Sequence, residues 1–337
     1  MKIQLTKVLE YEQPQKYIVA TENYSDEYTT PVLTAGKSFI LGYTDETDGI
    51  YKGTESPVII FDDFTSDTKY VDFDFKVKSS AMKILHKVNE EDSLKYFFYA
   101  IQKIQYKPFS HKRLWISEYS KFEIEKRSPE EQKMVVNDLD NINHAISLAK
   151  ERLLALDELV KSRFIEMFGN CEKAELYTMS NIIMGQSPDS SSYNDDGDGL
   201  PFFQGKGDYG EKFTIVKHFT TSPKKIAKKG SVLMSVRAPV GPVNIASVDC
   251  CIGRGLCSIN AVKEKTNNEF LYNALNTMQD EISGKGNGST FSAINKDDVY
   301  KLMIPLAQIS KQDNFSEFVK LIDKSKFVYL DYSRYFL

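Results

Sequence analysis

The chain has no run of about 18 apolar residues and no apolar leader followed by a cleavage site, so nothing in it reads as membrane-spanning or exported; cytoplasmic is the expectation. Cysteine is scarce. Cys171, Cys250, Cys251 and Cys257 form no CxxC pair, and His86, His111, His144 and His218 are scattered, so neither a metal site nor a histidine-based catalytic cluster is expected. The cysteines read as small buried apolar residues. An excess of positive charge is also missing: 43 Lys and Arg stand against 47 Asp and Glu, a net charge of −4, which withholds the bulk signature of a nucleic-acid binder and leaves only local patches. What remains, 41% hydrophobic and 27% charged residues in 337, describes a soluble globular chain long enough for two domains.

One stretch organises the rest. Val135, Leu139, Ile142, Ile146, Ala149, Leu153, Leu156 and Val160 step by four and three, a heptad seam. Ser128 and Glu131 make a capping box around Pro129, and Gly169-Asn170 close the helix. A rod from Gln132 to Phe168 is roughly 55 Å long and needs a partner helix. The candidate is a second helical run, Gln312 to Phe336. The fold class is α+β: domain 1–127, central helix 128–170, domain 171–305 and a shorter distal helix 306–337, the helices pairing as an antiparallel coiled coil.

Strands are expected at Tyr17–Ala20, Ser38–Leu41, Pro57–Phe61, Phe213–Val216, Gly230–Val236 and Cys257–Ile259, and short helices at Ser93–Gln105 and Asn268–Asp280. The halves echo each other. Pro31–Lys37 resembles Pro201–Lys206, and Val58–Asp63 matches Val232–Arg237 in apolar pattern. Trp115-Ile116-Ser117 parallels Phe291-Ser292-Ala293, and Pro129 with Gln132 parallels Pro305 with Gln312. Aligned on the glutamines, Val135 falls on Phe315, Leu139 on Val319 and Ile142 on Ile322. Ser162-Arg163-Phe164 resembles Ser333-Arg334-Tyr335, reached with about a dozen residues missing from the distal helix. A tandem repeat with approximate two-fold character suits a ligand with two separated half-sites, such as duplex DNA.

Several motifs compete with that reading. Gly205–Gly210 satisfies GxGxxG, but a strand and not a helix is expected next, so it is no dinucleotide fingerprint. No Asn-Pro-Pro-Tyr or Asp-Pro-Pro-Tyr accompanies Phe203–Gly207, which excludes an adenine methylase. Gly284–Thr290 is either a phosphate-contacting loop or a plain turn. Asp62 or Asp63 with Asp74-Phe75-Lys76 is only a faint echo of a metal-dependent nuclease.

Gly230–Gly241, with Ser235-Val236-Arg237-Ala238-Pro239-Val240-Gly241 at its centre, then Asn244-Ile245-Ala246 and Cys251–Gly255, resembles the target-recognition domain of type I restriction–modification specificity subunits. Thr34–Lys37, Ile60–Phe64, Lys78–Met82 and the distal Phe318-Val319 with Ile322–Lys326 are similar to the same family, so the resemblance covers nearly the whole chain. It implies a non-catalytic subunit whose two domains each read half of a bipartite DNA target. The helices would set the spacer and dock two modification subunits, which carry S-adenosylmethionine, while restriction subunits carry ATP and Mg; this chain itself would hold no cofactor. The shorter distal helix implies unequal docking surfaces.

Within that frame, Arg237 at a strand end either contacts guanine or phosphate or forms an internal salt bridge with Asp249. Lys224, Lys225, Lys228 and Lys229, and Lys112 with Arg113, are candidate phosphate contacts. Asp63, aligned on Arg237, would accept from cytosine N4. Lys37, Lys206, Arg254, Lys285, Asn287 and Ser289 complete the candidate DNA-binding set. The other readings are a stand-alone DNA-cleaving or modifying enzyme, and a coiled-coil scaffold with two protein-binding heads.

Overall fold

Ser128 and Glu131 close a reciprocal capping box: the Ser128 N–H donates to Glu131 Oε2 at 3.0 Å and the Glu131 N–H to Ser128 Oγ at 3.3 Å. Pro129 opens the central helix, which runs unbroken for 40 residues to Phe168, about 60 Å at 1.5 Å per residue. Gly169 ends it, donating to Ile165 O at 2.7 Å where a Cβ would lie 2.6 Å from that oxygen. This computed structural model describes residues 1–36, 38–104, 106, 113–284 and 293–336, with side chains as far as residue 326. They form two units, 1–145 and 146–337. The central helix, expected as a segment of its own, is divided between them.

In unit 1 an antiparallel sheet runs in the order Leu9–Glu12, Met82–Lys87, Val58–Asp62, Thr68–Val71. A second sheet joins Ile40–Thr44, Thr30–Leu33 and Lys76–Val77, the last pair parallel. The helix Leu94–Gln102 packs Phe97 and Ile101 into one cluster with Ile59, Phe61 and Leu85, while Val58, Ile60 and Ile84 belong to another with Leu33 and Val77. Both faces of Val58–Asp62 are thus buried, and its residues form an unbroken apolar run up to Asp62.

Unit 2 repeats this order: Ser180–Met184, Leu256–Ala261, Val232–Ser235, Val243–Ile245, with Leu200–Phe203 parallel to Cys250–Ile252 and a helix at Asn268–Thr277. The predicted repeat reaches individual hydrogen bonds. Buried Gln132 accepts the Ser93 N–H at 2.8 Å and donates to Asp92 Oδ1 and Arg127 O. Buried Gln312 accepts from Thr266 Oγ1 at 2.8 Å and the Asn267 N–H at 3.3 Å, and donates to Lys265 O and Ala307 O. Each glutamine ties its long helix to the cap of a short one, since Ser93 accepts from Tyr96 N and Asn267 from Phe270 N.

The sheet register corrects one alignment. Ile59 pairs with Leu85, itself opposite Tyr11; Val232 pairs with Ile259, itself opposite Ile182. Ile59 therefore corresponds to Val232, and Asp63 to Val236 instead of Arg237. The bonds from Leu114 N to Asp63 O and from Ile294 N to Val236 O, both 3.0 Å, agree. Two unbroken apolar runs offer no alternation to set register, and a slip of one residue exchanges faces. By the same bonds Leu114 corresponds to Ile294, displacing the match of Trp115 with Phe291; Phe291 and Ser292 lie outside the described residues. Pro305 pairs with Lys173 as Glu125 pairs with Lys2, so its counterpart is Glu125 and not Pro129.

Other elements differ in detail. Tyr17–Ala20 is no strand: Pro14 starts a 3₁₀ turn to Tyr17, and Ile18 makes a single bridge to Val77. The first short helix stops at Gln102, and the next ends at Thr277, with a further turn at Gln279–Gly284. Phe213–Val216 makes only isolated bridges, Phe213 with Ile245 and Thr214 with Tyr209.

In unit 2 the end of the central helix packs antiparallel on the distal helix Ile309–Phe336. The Phe168 and Phe164 rings lie 5.7 and 5.4 Å from Phe315, and Asp157 pairs with Lys326, an equal number of residues away along each helix. Of the expected pairing residues, Phe315 and Val319 are buried and Ile322 packs at the edge of that cluster. Ile146, Leu153 and Leu156 are half-buried, whereas Val160, Phe164 and Phe168 are the deeply buried positions. Val135 packs against the core of unit 1, and Leu139 lines a groove there with Tyr99 and Ala100, while Ile142 is half-buried. The contact is tight where aromatic rings fill it, not evenly along the heptads. The side chains of Ser333, Arg334 and Tyr335 are outside the described set.

Candidate nucleic-acid interface

Three chain segments in unit 2, Gly185–Ser187, Gln204–Lys206 and Gly253–Gly255, meet backbone to backbone. Gln186 N donates to Ile252 O at 3.0 Å, Gly253 N to Phe203 O at 2.8 Å and Arg254 N to Ser187 Oγ at 3.2 Å. The approach demands glycine: a Cβ on Gly185 would lie 2.1 Å from Gly253 O, and one on Gly255 2.4 Å from Gln204 O. Val236 N donates to Gly255 O and Ile252 N to Lys225 O, both at 2.9 Å, which brings Arg237 and Lys225 to the same rim.

The Gln204–Asp208 loop is held by its own carboxylate. Buried Asp208 accepts the N–H groups of Gln204 at 2.6 Å and Gly205 at 3.2 Å through Oδ2. Lys206–Asp208 is therefore a 3₁₀ turn, and the GxGxxG pattern opens no α-helix.

Gln186, Gln204, Lys206, Lys225, Arg237 and Arg254 are all exposed, and among the described residues none of their side chains has a hydrogen-bonding or ionic partner. Six polar side chains with free donors, anchored through their backbones around one strand end, suit a ligand with phosphates and base edges. Neighbouring cations are engaged instead. Lys224 lies 3.3 Å from Asp189, and Lys228 lies 2.8 Å from Asp249, which also takes the Lys229 N–H at 2.8 Å. The Lys228 bond and that amide hold the Asp249 carboxyl below the usual range. Asp249 is therefore not the partner of Arg237.

Asp63 cannot read a base. It is 1% exposed, with Oδ2 3.0 Å from the fully buried Lys83 and Oδ1 accepting the Trp115 N–H at 2.9 Å. Asp62 accepts from Phe64 N and Thr65 in a tight turn. Asp74 pairs with Lys52 at 2.8 Å and Lys76 with Glu46 at 2.9 Å, so the nuclease-like residues are held in separate ion pairs. Among the described residues no cluster of three His, Cys, Asp or Glu is placed to hold a metal. Arg113 is exposed just before the helix Leu114–Ser117. Lys37, Lys112, Lys285, Asn287 and Ser289 lie outside the described residues, as does most of the Gly284–Thr290 stretch.

In the sequence, charge and motif point to Lys206, Lys225, Arg237 and Arg254 separately. Gln186, Gln204 and Asp208 carry no such signal of their own. The glycines beside the two glutamines were the available signal, but their partners are distant in sequence.

Residues 170–327 match the family described as the type I restriction modification DNA specificity domain. The chain is 45% identical over 157 residues to the type I restriction enzyme EcoR124I/EcoR124II specificity subunit of Escherichia coli, covering 46% of this chain and 36% of that one. It is 35% identical over 215 residues to the putative type I restriction enzyme MjaX specificity subunit of Methanocaldococcus jannaschii, covering 58% and 51%. The aligned part thus spans between about a third and a half of these relatives. Among solved structures, the type I restriction-modification system S subunit from M. genitalium shares the fold with a TM-score of 0.62 at 15% identity, over 98% of this chain and 91% of that one. A chain from a type I R-M system studied for complex assembly and conformational transition gives 0.59 at 22%, over 98% and 93%. Residues 170–327 thus match the type I restriction modification DNA specificity domain, and the whole chain shares its fold with these solved structures.

Proposed function

We propose that the chain is the DNA-reading subunit of a type I restriction–modification complex, with each unit addressing one half of a bipartite double-stranded target. The observation that supports this best is the rim of unit 2, where six exposed polar side chains, unpaired among the described residues, are fixed by backbone contacts. Lys206 and Lys225 are suited to phosphate oxygens, and Arg237 and Arg254 to phosphate or to guanine O6 and N7. A local patch of this kind offsets the net charge of −4. The chain acts by binding and contributes no catalytic group. S-adenosylmethionine, ATP and Mg belong to the partner chains.

The partners are two modification subunits and the restriction subunits. A groove in unit 2 suits docking: Leu154 is 69%, Phe213 53% and Ile215 49% exposed beside Tyr272 and the ion-paired Lys212. A scaffold reading explains the helices but not the unpaired rim, and a stand-alone nuclease would need Asp63, Asp74 and Lys76, all held in internal ion pairs.

Co-production with modification subunits, followed by sequencing of methylated adenines, should return one split motif. Substitutions on the unit 2 rim should alter one half of it only. An assembled complex that methylates without any motif would overturn the proposal.

A further inference from the structure

Among the six rim residues, two carry no charge. Gln186 and Gln204 cannot add to phosphate attraction as cations do, yet the backbone of each is held more firmly than its exposure requires. Gln186 is placed by the Ile252 carbonyl and by Gly185, which has no room for a Cβ against Gly253. Gln204 is placed by the buried Asp208 carboxylate on one side and by Gly255 against its own carbonyl on the other. Gly253, bonded to Phe203 and close to Gly185, links the two sites. Both side-chain amides are left with one donor group and one acceptor, and neither has an intramolecular partner among the described residues.

A primary amide matches one base edge in both senses. Its NH₂ donates to adenine N7 and its oxygen accepts from adenine N6, a pairing available in the major groove. Guanine presents two acceptors there and suits an arginine instead. We propose that Gln186 and Gln204 are specificity-determining residues of unit 2, that each reads the adenine of an A·T pair, and that Lys206 and Lys225 beside them hold phosphates without reading sequence. The inference rests on unit 2 being a DNA-contacting module.

The test is selection by the full-length chain from a library of randomised duplexes, at low salt, with wild type, Gln186→Ala, Gln204→Ala, Lys225→Ala and the two Gln→Glu variants. Wild type should select a half-site containing two A·T pairs. Each Gln→Ala variant should lose preference at one of those pairs, the ratio of selected to scrambled duplex falling on the order of ten- to a hundredfold. Each Gln→Glu variant should move that position toward cytosine, whose N4 amino group donates to a carboxylate. Lys225→Ala should weaken all duplexes alike and lower the salt-dependence slope by about one. If wild type selects a motif that both Gln→Ala variants retain, or if the losses are uniform across sequences, the assignment of the glutamines is overturned while unit 2 remains a DNA reader. If wild type binds duplex but selects no motif, or binds none, the DNA-reading proposal itself falls and the assignment with it.

Discussion

The two units share a sheet order and a helix clamp, yet they use polar residues in opposite ways. In unit 1, near the end of the sheet, Lys83 forms an ion pair with Asp63 at 3.0 Å and donates to Gln13 Oε1 at 3.0 Å. The register places Cys257, Val236 and Met184 at the same three positions in unit 2. Lys76 and Lys78 of unit 1, paired with Glu46 and Glu22, likewise stand where unit 2 has Cys251 and Gly253. At these positions unit 1 holds Lys76 and Lys83 inside the fold, whereas unit 2 has apolar side chains there and, among the described residues, leaves Lys206, Lys225, Arg237 and Arg254 unpaired on its rim. Topology is thus indifferent to whether this interior site is ionic, as expected where a well-packed apolar set can replace a buried ion pair.

Two probes separate the units. Trp115 is the only tryptophan and reports unit 1, whereas all four cysteines lie in unit 2. Burial pushes the Cys257 thiol up to about 12, so thiol reagents should meet it only when unit 2 opens.

The largest expected effect is from Asp63→Ala, which leaves Lys83 buried without its counter-charge and should cost about 3–5 kcal/mol. Denaturant unfolding followed by Trp115 fluorescence should show it, with Cys257 labelling unchanged; equal movement of both probes would break the comparison. Gln132→Ala and Gln312→Ala should each cost roughly 2–4 kcal/mol, because each strands buried partners of the helix clamp. Trp115 should sense the first and Cys257 the second, in similar amounts.

The triple change Gln13→Met, Asp63→Val, Lys83→Met transplants an apolar interior into unit 1. Its Trp115 midpoint should lie within about 1 kcal/mol of wild type or above it, against the loss from Asp63→Ala alone. A loss as large as the single variant's would show that unit 1 depends on the ion pair. An acid effect comes last. Burial works against the Glu46 carboxylate, but bonds from Lys76 and from the Ala20 and Thr21 N–H groups outweigh it and hold the carboxyl at about 2. With the folded value depressed, this stabilisation is present above about 4.5 and lost as pH falls toward 2. The Trp115 midpoint should therefore fall across that window, and Glu46→Gln should flatten the dependence.

Local features were legible. Ser128, Pro129, Glu131 and Gly169 delimit the central helix because caps depend on residues within one turn, and the matching glutamines revealed the repeat because each opens the same helix. Val58–Asp62 and Val232–Ser235 were recognised as strands but aligned one residue out, since a strand buried on both faces carries no alternation. That single residue changed Asp63 from a base reader into half of a buried ion pair.

The chain's order of elements, its repeat and the limits of its central helix were thus legible in the sequence alone, each being carried by short-range spacing or by motif. Which polar side chains are free was decided only by the tertiary structure. Asp63 is neutralised by Lys83 across a strand pair, and Gln186, Gln204 and Arg254 are gathered by glycines that let distant backbones touch. Hydrogen bonds and ion pairs between strands depend on register, and register is a property of the assembled sheet.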